Sequence, residues 1–228
     1  MWVMSDPSTG INSDRSRLAI AHTASMDWQA SPSPTVWRKR LELVGDREKG
    51  MVTSVVRYDA NSQFASHGHP AGEEFLVLEG VFSDEYGDYP AGSYVLNPPG
   101  FSHAPFSREG CQIFVKLRQY PGANRRKMQV DTNATGWQMH PVAGVEVLPL
   151  YAEAGHPEEM RLVRLAAGAR VPTVAFPKGE EIFVLHGGFT DEHGSYGKGS
   201  WVRYPAGSSH TPTTEDGCTL YVKKGHLG

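Results

Sequence analysis

The second half of the chain restates the first. Pro70-Ala71-Gly72-Glu73-Glu74 returns as Pro177-Lys178-Gly179-Glu180-Glu181, Phe82-Ser83-Asp84-Glu85 as Phe189-Thr190-Asp191-Glu192, and Gly110-Cys111 as Gly217-Cys218, always at the offset that separates Glu73 from Glu180. A repeat of this length with no insertion between its landmarks means one supersecondary plan folded twice. Upstream the offset is longer by two positions, because Trp28-Gln29 returns as Trp137-Gln138. The sequence therefore divides into a tail at 1–15, a first domain at 16–118, a linker at 119–124 and a second domain at 125–228. Pro121 and Gly122 punctuate the joint, and the tail is expected to be loose.

Within each unit the apolar residues recur with period two. Val52 to Tyr58, Glu74 to Phe82, Ser93 to Asn97 and Gln112 to Leu117 read as strands bounded by Gly, Pro, Asn or Asp. No stretch keeps a helical period between two caps. About a hundred residues of short strands with closely spaced turns predict an all-β fold, a sandwich or closed barrel, in each half. Gly80 is read as a hairpin turn. Cys111 and Cys218 are too few for a disulfide framework, and each is expected to pack inside its own unit.

A net charge of −3 and a pI near 6.4 give no support to a nucleic-acid partner. No apolar run approaches a membrane span, and Met1 to Ser16 lack the pattern of a secretory signal. A soluble, cytoplasmic protein is expected, with a small molecule as its partner.

His67-Gly68-His69 carries the chemistry. Residues i and i+2 of a strand face the same side, so both imidazoles can reach one ion. Glu73 follows four positions later, and the rigid turn Asn97-Pro98-Pro99-Gly100 leads to a third imidazole at His103. Three nitrogens and a carboxylate suit a divalent transition metal, not Ca²⁺ or Mg²⁺. Zn²⁺ is the first expectation, with Fe²⁺, Mn²⁺ or Ni²⁺ as alternatives and Cu²⁺ also compatible. Glu74, by alternation, should face away from the ion. Tyr58, Tyr94, Phe101 and Phe114 are candidate wall residues, each with core packing as the competing role.

The spacing of His67, His69, Glu73, Gly80 and Pro98-Pro99-Gly100-Phe101-Ser102-His103 resembles the cupin superfamily. That resemblance implies two tandem cupin jelly-roll barrels, with His67, His69, Glu73 and His103 as metal ligands of the first. A closer resemblance is to the cupin-like domain of the ChrR anti-sigma factors. It rests on Gly72-Glu73-Glu74-Phe75-Leu76-Val77-Leu78-Glu79-Gly80, Phe82 to Glu85, Asp88-Tyr89-Pro90-Ala91-Gly92, Gly110-Cys111 and Val115-Lys116.

Three functions follow from the resemblance. One is a mononuclear metal-dependent dioxygenase, or related enzyme, acting on a small oxygenated compound. Another is a stress sensor of the ChrR type, and the third is a structural bicupin stabilised by its metal. The cysteine-bearing N-terminal module that grips a sigma factor in ChrR has no counterpart here, so no sigma-factor partner is expected. A homodimer through exposed sheet edges is compatible with the fold.

The second barrel departs from the pattern. Glu180 and His210 persist, but Val174 and Phe176 stand in place of His67 and His69 and should fill the cavity. His186, six residues from Glu180, is read as a further inward-facing candidate. A structural role or a small metal-free pocket is expected.

Overall fold

The computed structural model describes residues 10–120, 122 and 124–227. Among them there is no α-helix, only a 3₁₀ turn at Thr23–Ser25, and no helix long and apolar enough to cross a membrane. Two compact units emerge. Among the described residues, the first joins 10–14 to 27–133, and the second joins 15–26 to 134–227. Each is a jelly-roll barrel of antiparallel strands, so the chain folds as the two tandem barrels expected.

In the first unit the main sheet runs Met128–Asp131, Ser93–Asn97, Glu73–Asp84, Cys111–Leu117, Met51–Tyr58, Val36–Val44 and Gln29–Ala30. The ribbon His67–His69 paired with Phe101–His103 carries the histidines. The second unit repeats this plan with Ala19–His22, Ser200–Tyr204, Glu180–Asp191, Cys218–Lys224, Glu159–Leu165, Val145–Ala152 and Gln138–Met139, and with Val174–Phe176 against Ser208–His210.

The units do not follow the sequence halves at their leading strands. Met128–Asp131 follows Ala19–His22 at the same offset as Trp137 follows Trp28, so the two strands are equivalent. Met128–Asp131 pairs with Ser93–Asn97 of the first repeat, and Ala19–His22 with Ser200–Tyr204 of the second. Each barrel therefore takes an edge strand from the start of the other repeat. Parts of the expected tail and linker are held as well. Residues 1–9, Pro121 and Ala123 lie outside the described residues. Ile11 bridges to Leu43, and Asn12 Nδ2 donates to Leu41 O at 2.7 Å. Gln119 Nε2 donates to Val52 O at 3.0 Å, and Tyr120 is fully buried.

Alternation explains the inner core. Phe75, Val77, Val95, Ile113 and Val115 face inward with Phe82, Tyr89 and Cys111; Ile182, Val184, Val202, Leu220 and Val222 do so in the second barrel. Tyr94 and Phe114 are buried on the opposite faces of their strands, next to the inward-facing Val95 and Val115. They do not line the barrel. Both cysteines are free and buried, and burial pushes each thiol up to about 11.

One irregularity organises the site. Along the Glu73–Asp84 strand, Ile113 faces Val77 while its neighbour Gln112 faces Glu79, so Leu78 is an extra residue without a counterpart. Such a bulge reverses the alternation beyond it. Before it Glu73, Phe75 and Val77 point inward, and after it Phe82 and Asp84 do. Gly80 lies inside this strand rather than at a hairpin turn. It adopts φ 70°, and a Cβ there would collide with the Gly110 carbonyl oxygen. Glycine is required by that close approach and by the positive φ. The strand reverses instead after Asp84, with Gly87–Pro90 returning along it.

Candidate metal centre

The ribbon places the imidazoles. His103 lies opposite His67 and Phe101 opposite His69, so all four side chains share one face. Ligand-capable atoms of His67, His69 and His103 lie within 4.8 Å of one another. His69 Nε2 and His103 Nε2 are 3.0 Å apart, and Glu73 Oε2 stands 3.6 Å from each. The structure thus gathers His67, His69 and His103 into one metal-capable group, with Glu73 Oε2 beside two of them.

Each donor is held from behind. His103 Nδ1 donates to Asp84 Oδ2 at 3.0 Å, and His67 Nδ1 donates to Ala65 O at 2.9 Å. These bonds leave Nε2 of both rings directed at the site, the arrangement a second shell provides for metal ligands. Asn97 Nδ2 donates to Glu73 Oε2 at 3.1 Å. Asp84 is itself fixed by Tyr86 N at 2.9 Å and by Tyr89 OH at 3.3 Å. Phe64 packs against His67, and Phe82 and Phe101 against His103, so the pocket wall is aromatic.

The protonation pattern follows from these contacts. Burial lowers the pKa of His69 despite the nearby Glu73, so this ring is neutral near pH 7. Burial works against a charged His103 too, but the Asp84 hydrogen bond and the Glu73 charge outweigh it and raise its pKa. Burial similarly disfavours the Asp84 carboxylate, yet its bonds to His103 and Tyr86 N hold it below the ordinary range. One proton between the facing Nε2 atoms satisfies both rings, and it is the proton an ion would displace.

Three of the four donors already stand at separations that fit one ion. Two donors about 2.1 Å from one ion and at right angles stand about 3.0 Å apart, and tetrahedral angles give about 3.4 Å. The separations of 3.0 and 3.6 Å among His69, His103 and Glu73 lie close to that range, whereas His67 stands farther out, within 4.8 Å of the other two histidines. Glu74 faces the other side, where it accepts a hydrogen bond from Tyr120 OH.

Asp84 is the residue that spacing did not single out. It recurs in the second repeat as Asp191, and that recurrence was the available signal. Its distance along the chain from Glu73 is odd, which in a regular strand would place it on the opposite face. The bulge at Leu78 brings it round.

The second barrel keeps the carboxylates and the single histidine. His210 Nε2 lies 3.0 Å from Glu180 Oε2, and its Nδ1 3.0 Å from Asp191 Oδ2. Tyr204 takes the place of Asn97, packs against His210 with ring centroids 4.2 Å apart, and hydrogen-bonds to Asp191. Phe176 is buried beside His210, so it fills the position of His69 as expected. Val174 is exposed and does not fill the cavity. His186 is also exposed, not inward-facing. Leu185 is the bulge residue here, and His186 falls just beyond it.

A family model described as the ChrR cupin-like domain matches residues 16–121 and again 125–228. No curated protein sequence matches the chain. Among solved structures, a Nostoc punctiforme protein provisionally described as a dioxygenase superposes with TM-score 0.75 at 16% identity, over 93% of this chain and 84% of that one. An Escherichia coli pirin in complex with nickel(II) gives 0.69 at 11%, over 91% and 98%. Bacillus subtilis oxalate decarboxylase, with Mn(II) centres, gives 0.63 at 11%, over 92% and 78%. At such identities these likenesses establish the fold alone.

Proposed function

The chain belongs to the ChrR cupin-like family in both of its halves, and from that premise we propose that its first barrel is a mononuclear metal site acting on a small oxygenated compound. His67, His69, Glu73 and His103 would hold one divalent transition ion. The observation that carries this reading is the convergence of two opposed imidazole nitrogens 3.0 Å apart with a carboxylate oxygen 3.6 Å from each. The metals named for two structural neighbours, nickel and manganese, support a transition ion without selecting one.

A bound ion supplies Lewis-acid polarisation of a ligand oxygen, and a redox-active one also supplies electrons for dioxygenase chemistry. The protein's share is preorganisation. Asp84 and the Ala65 carbonyl hold two rings in the tautomer that presents Nε2, and Asn97 orients Glu73. Phe64, Phe82 and Phe101 exclude water from the walls. His67 is only partly buried, which leaves the site open on its side. The second barrel, with one imidazole and Phe176 beside it, is read as a metal-free partner. A sensor role rests on the family alone, and no contact in the site favours it.

The test is the metal content of anaerobically purified protein, wild type beside His67→Ala. We expect about one ion per chain in the wild type and a marked loss in the variant. A wild type that takes up no ion after reconstitution with several divalent metals would overturn the metal site. Oxygen uptake by the iron-loaded protein with small diketones and hydroxyketones tests the dioxygenase reading, and silence across that class would remove it.

A further inference from the structure

Lys127 stands against the aromatic wall of the first site. Its Nζ lies 4.7 Å from the centroid of Phe101 and 5.0 Å from that of Tyr86, whose rings are 5.2 Å apart. Phe101 in turn packs on His103 at 5.5 Å, and Tyr86 OH donates to Ser102 O at 3.3 Å. The cation is therefore one aromatic ring away from a candidate ligand. The backbone agrees with that placement. Met128 pairs with Leu96, so Lys127 stands one residue further along, beside Asn97, which orients Glu73.

Two observations separate Lys127 from an ordinary surface lysine. Among the described residues no carboxylate lies within ion-pairing distance of its ammonium, which rests on two ring faces. The chain also supplies its own control. In the second barrel the positions of Lys127, Tyr86 and Phe101 are taken by Leu18, His193 and Ser208. The cation, the phenol and the phenyl ring are absent together from the barrel that lacks the His-x-His pair, where an imidazole stands at the Tyr86 position.

We propose that Lys127 is a substrate-binding residue that selects small carboxylate anions for the first-barrel site. The inference rests on the metal reading above. A divalent ion with one carboxylate ligand keeps a net positive charge, and Lys127 adds a second positive group one aromatic ring away, beyond Phe101. An anion with several oxygens can then meet the ion at one end and the ammonium at the other. The nearby acids are already engaged. Asp84 is committed to His103, and Glu85 accepts from Ala104 N at 2.8 Å. Because Lys127 arrives on the leading segment of the second repeat, a site made of first-repeat ligands is completed by a residue from the other repeat's sequence.

The experiment uses full-length cobalt(II)-substituted protein as wild type, Lys127→Met and Lys127→Arg, titrated with oxalate and separately with imidazole. Cobalt absorption reports each binding event. Oxalate should bind Lys127→Met about fivefold or more weakly, an exposed charge contributing modestly, and Lys127→Arg should stay within about twofold of wild type. Imidazole, a neutral ligand, should bind all three alike. Equal oxalate affinity in wild type and Lys127→Met overturns the proposal. So does a parallel loss of imidazole binding, which would mean the aromatic wall had merely repacked. Failure of the wild type to take up cobalt overturns the metal reading and this inference with it, and it is recognised by the missing cobalt spectrum.

Discussion

Replacing Asp84 by Asn removes a charge from behind His103 while keeping the shape of the side chain. The amide oxygen can still accept from Nδ1, so ring position should change little, although the amide NH₂ then faces Tyr86 N and Tyr89 OH, which lose their acceptor. What disappears is the anion 3.0 Å from Nδ1 that makes Nε2 a better donor, together with the full-charge acceptor for Tyr86 N and Tyr89 OH. Loss of an outer-shell partner of this kind lowers metal affinity about 10- to 100-fold, which is about 1.4–2.7 kcal/mol. Asp191→Asn is the matched control. Asp191 holds His210 Nδ1 at the same 3.0 Å, in a barrel without the paired histidines. Zinc affinity, measured by competition with a chromophoric chelator near neutral pH, should fall within that range for Asp84→Asn and stay unchanged for Asp191→Asn. Thermal melts of the metal-free variants would check that both remain folded. The reasoning fails if Asp84→Asn binds zinc within about twofold of wild type, since affinity would then be insensitive to the second shell. It fails equally if Asp191→Asn loses as much, because the effect would then follow from any buried carboxylate.

Two further outcomes follow from the second barrel and from the bulge. His210 has both nitrogens 3.0 Å from carboxylate oxygens, and only an imidazolium can donate to both. Burial lowers its pKa, but the bonds to Glu180 and Asp191 outweigh burial and raise it. The stability it contributes is therefore complete below the unfolded value of about 6.5 and is lost as pH rises through the higher folded value. Nitrogen-15 NMR of zinc-loaded protein should show His210 still doubly protonated above that unfolded value, and deprotonation below it would contradict the assignment. Gly80→Ala combines a positive φ with a Cβ that collides with Gly110 O, whereas Gly100→Ala, at φ 88°, meets nothing within 4 Å. Urea unfolding should show Gly80→Ala losing about 2 kcal/mol or more and Gly100→Ala only about 1 kcal/mol. Equal losses would refute the close-approach argument.

Much of this molecule was legible from residue order because the relevant signals are local. The constant offset between the halves reveals two copies of one plan. Period-two alternation reveals strands, and His67-Gly68-His69 puts two imidazoles on one face whatever the strand pairs with. The departures in the second copy were equally legible: Phe176 sits where His69 does, and no metal-ligating pair remains. Other features depend on pairing, which no single segment encodes. The extra residue at Leu78 exists only relative to Gln112 and Ile113. It decides that Asp84 joins Glu73 on the inner wall, and its counterpart at Leu185 leaves His186 exposed. The same holds for the leading strands. Nothing in Met128–Asp131 states that it will complete the first sheet, or that Lys127 will thereby reach Tyr86 and Phe101. The repeat, the strands and the metal-capable donors are written in residue order, because each is a pattern among neighbouring residues. Strand pairing set which carboxylate backs His103 and which cation rests on Tyr86 and Phe101, because a strand's face and register are set by the strand it pairs with.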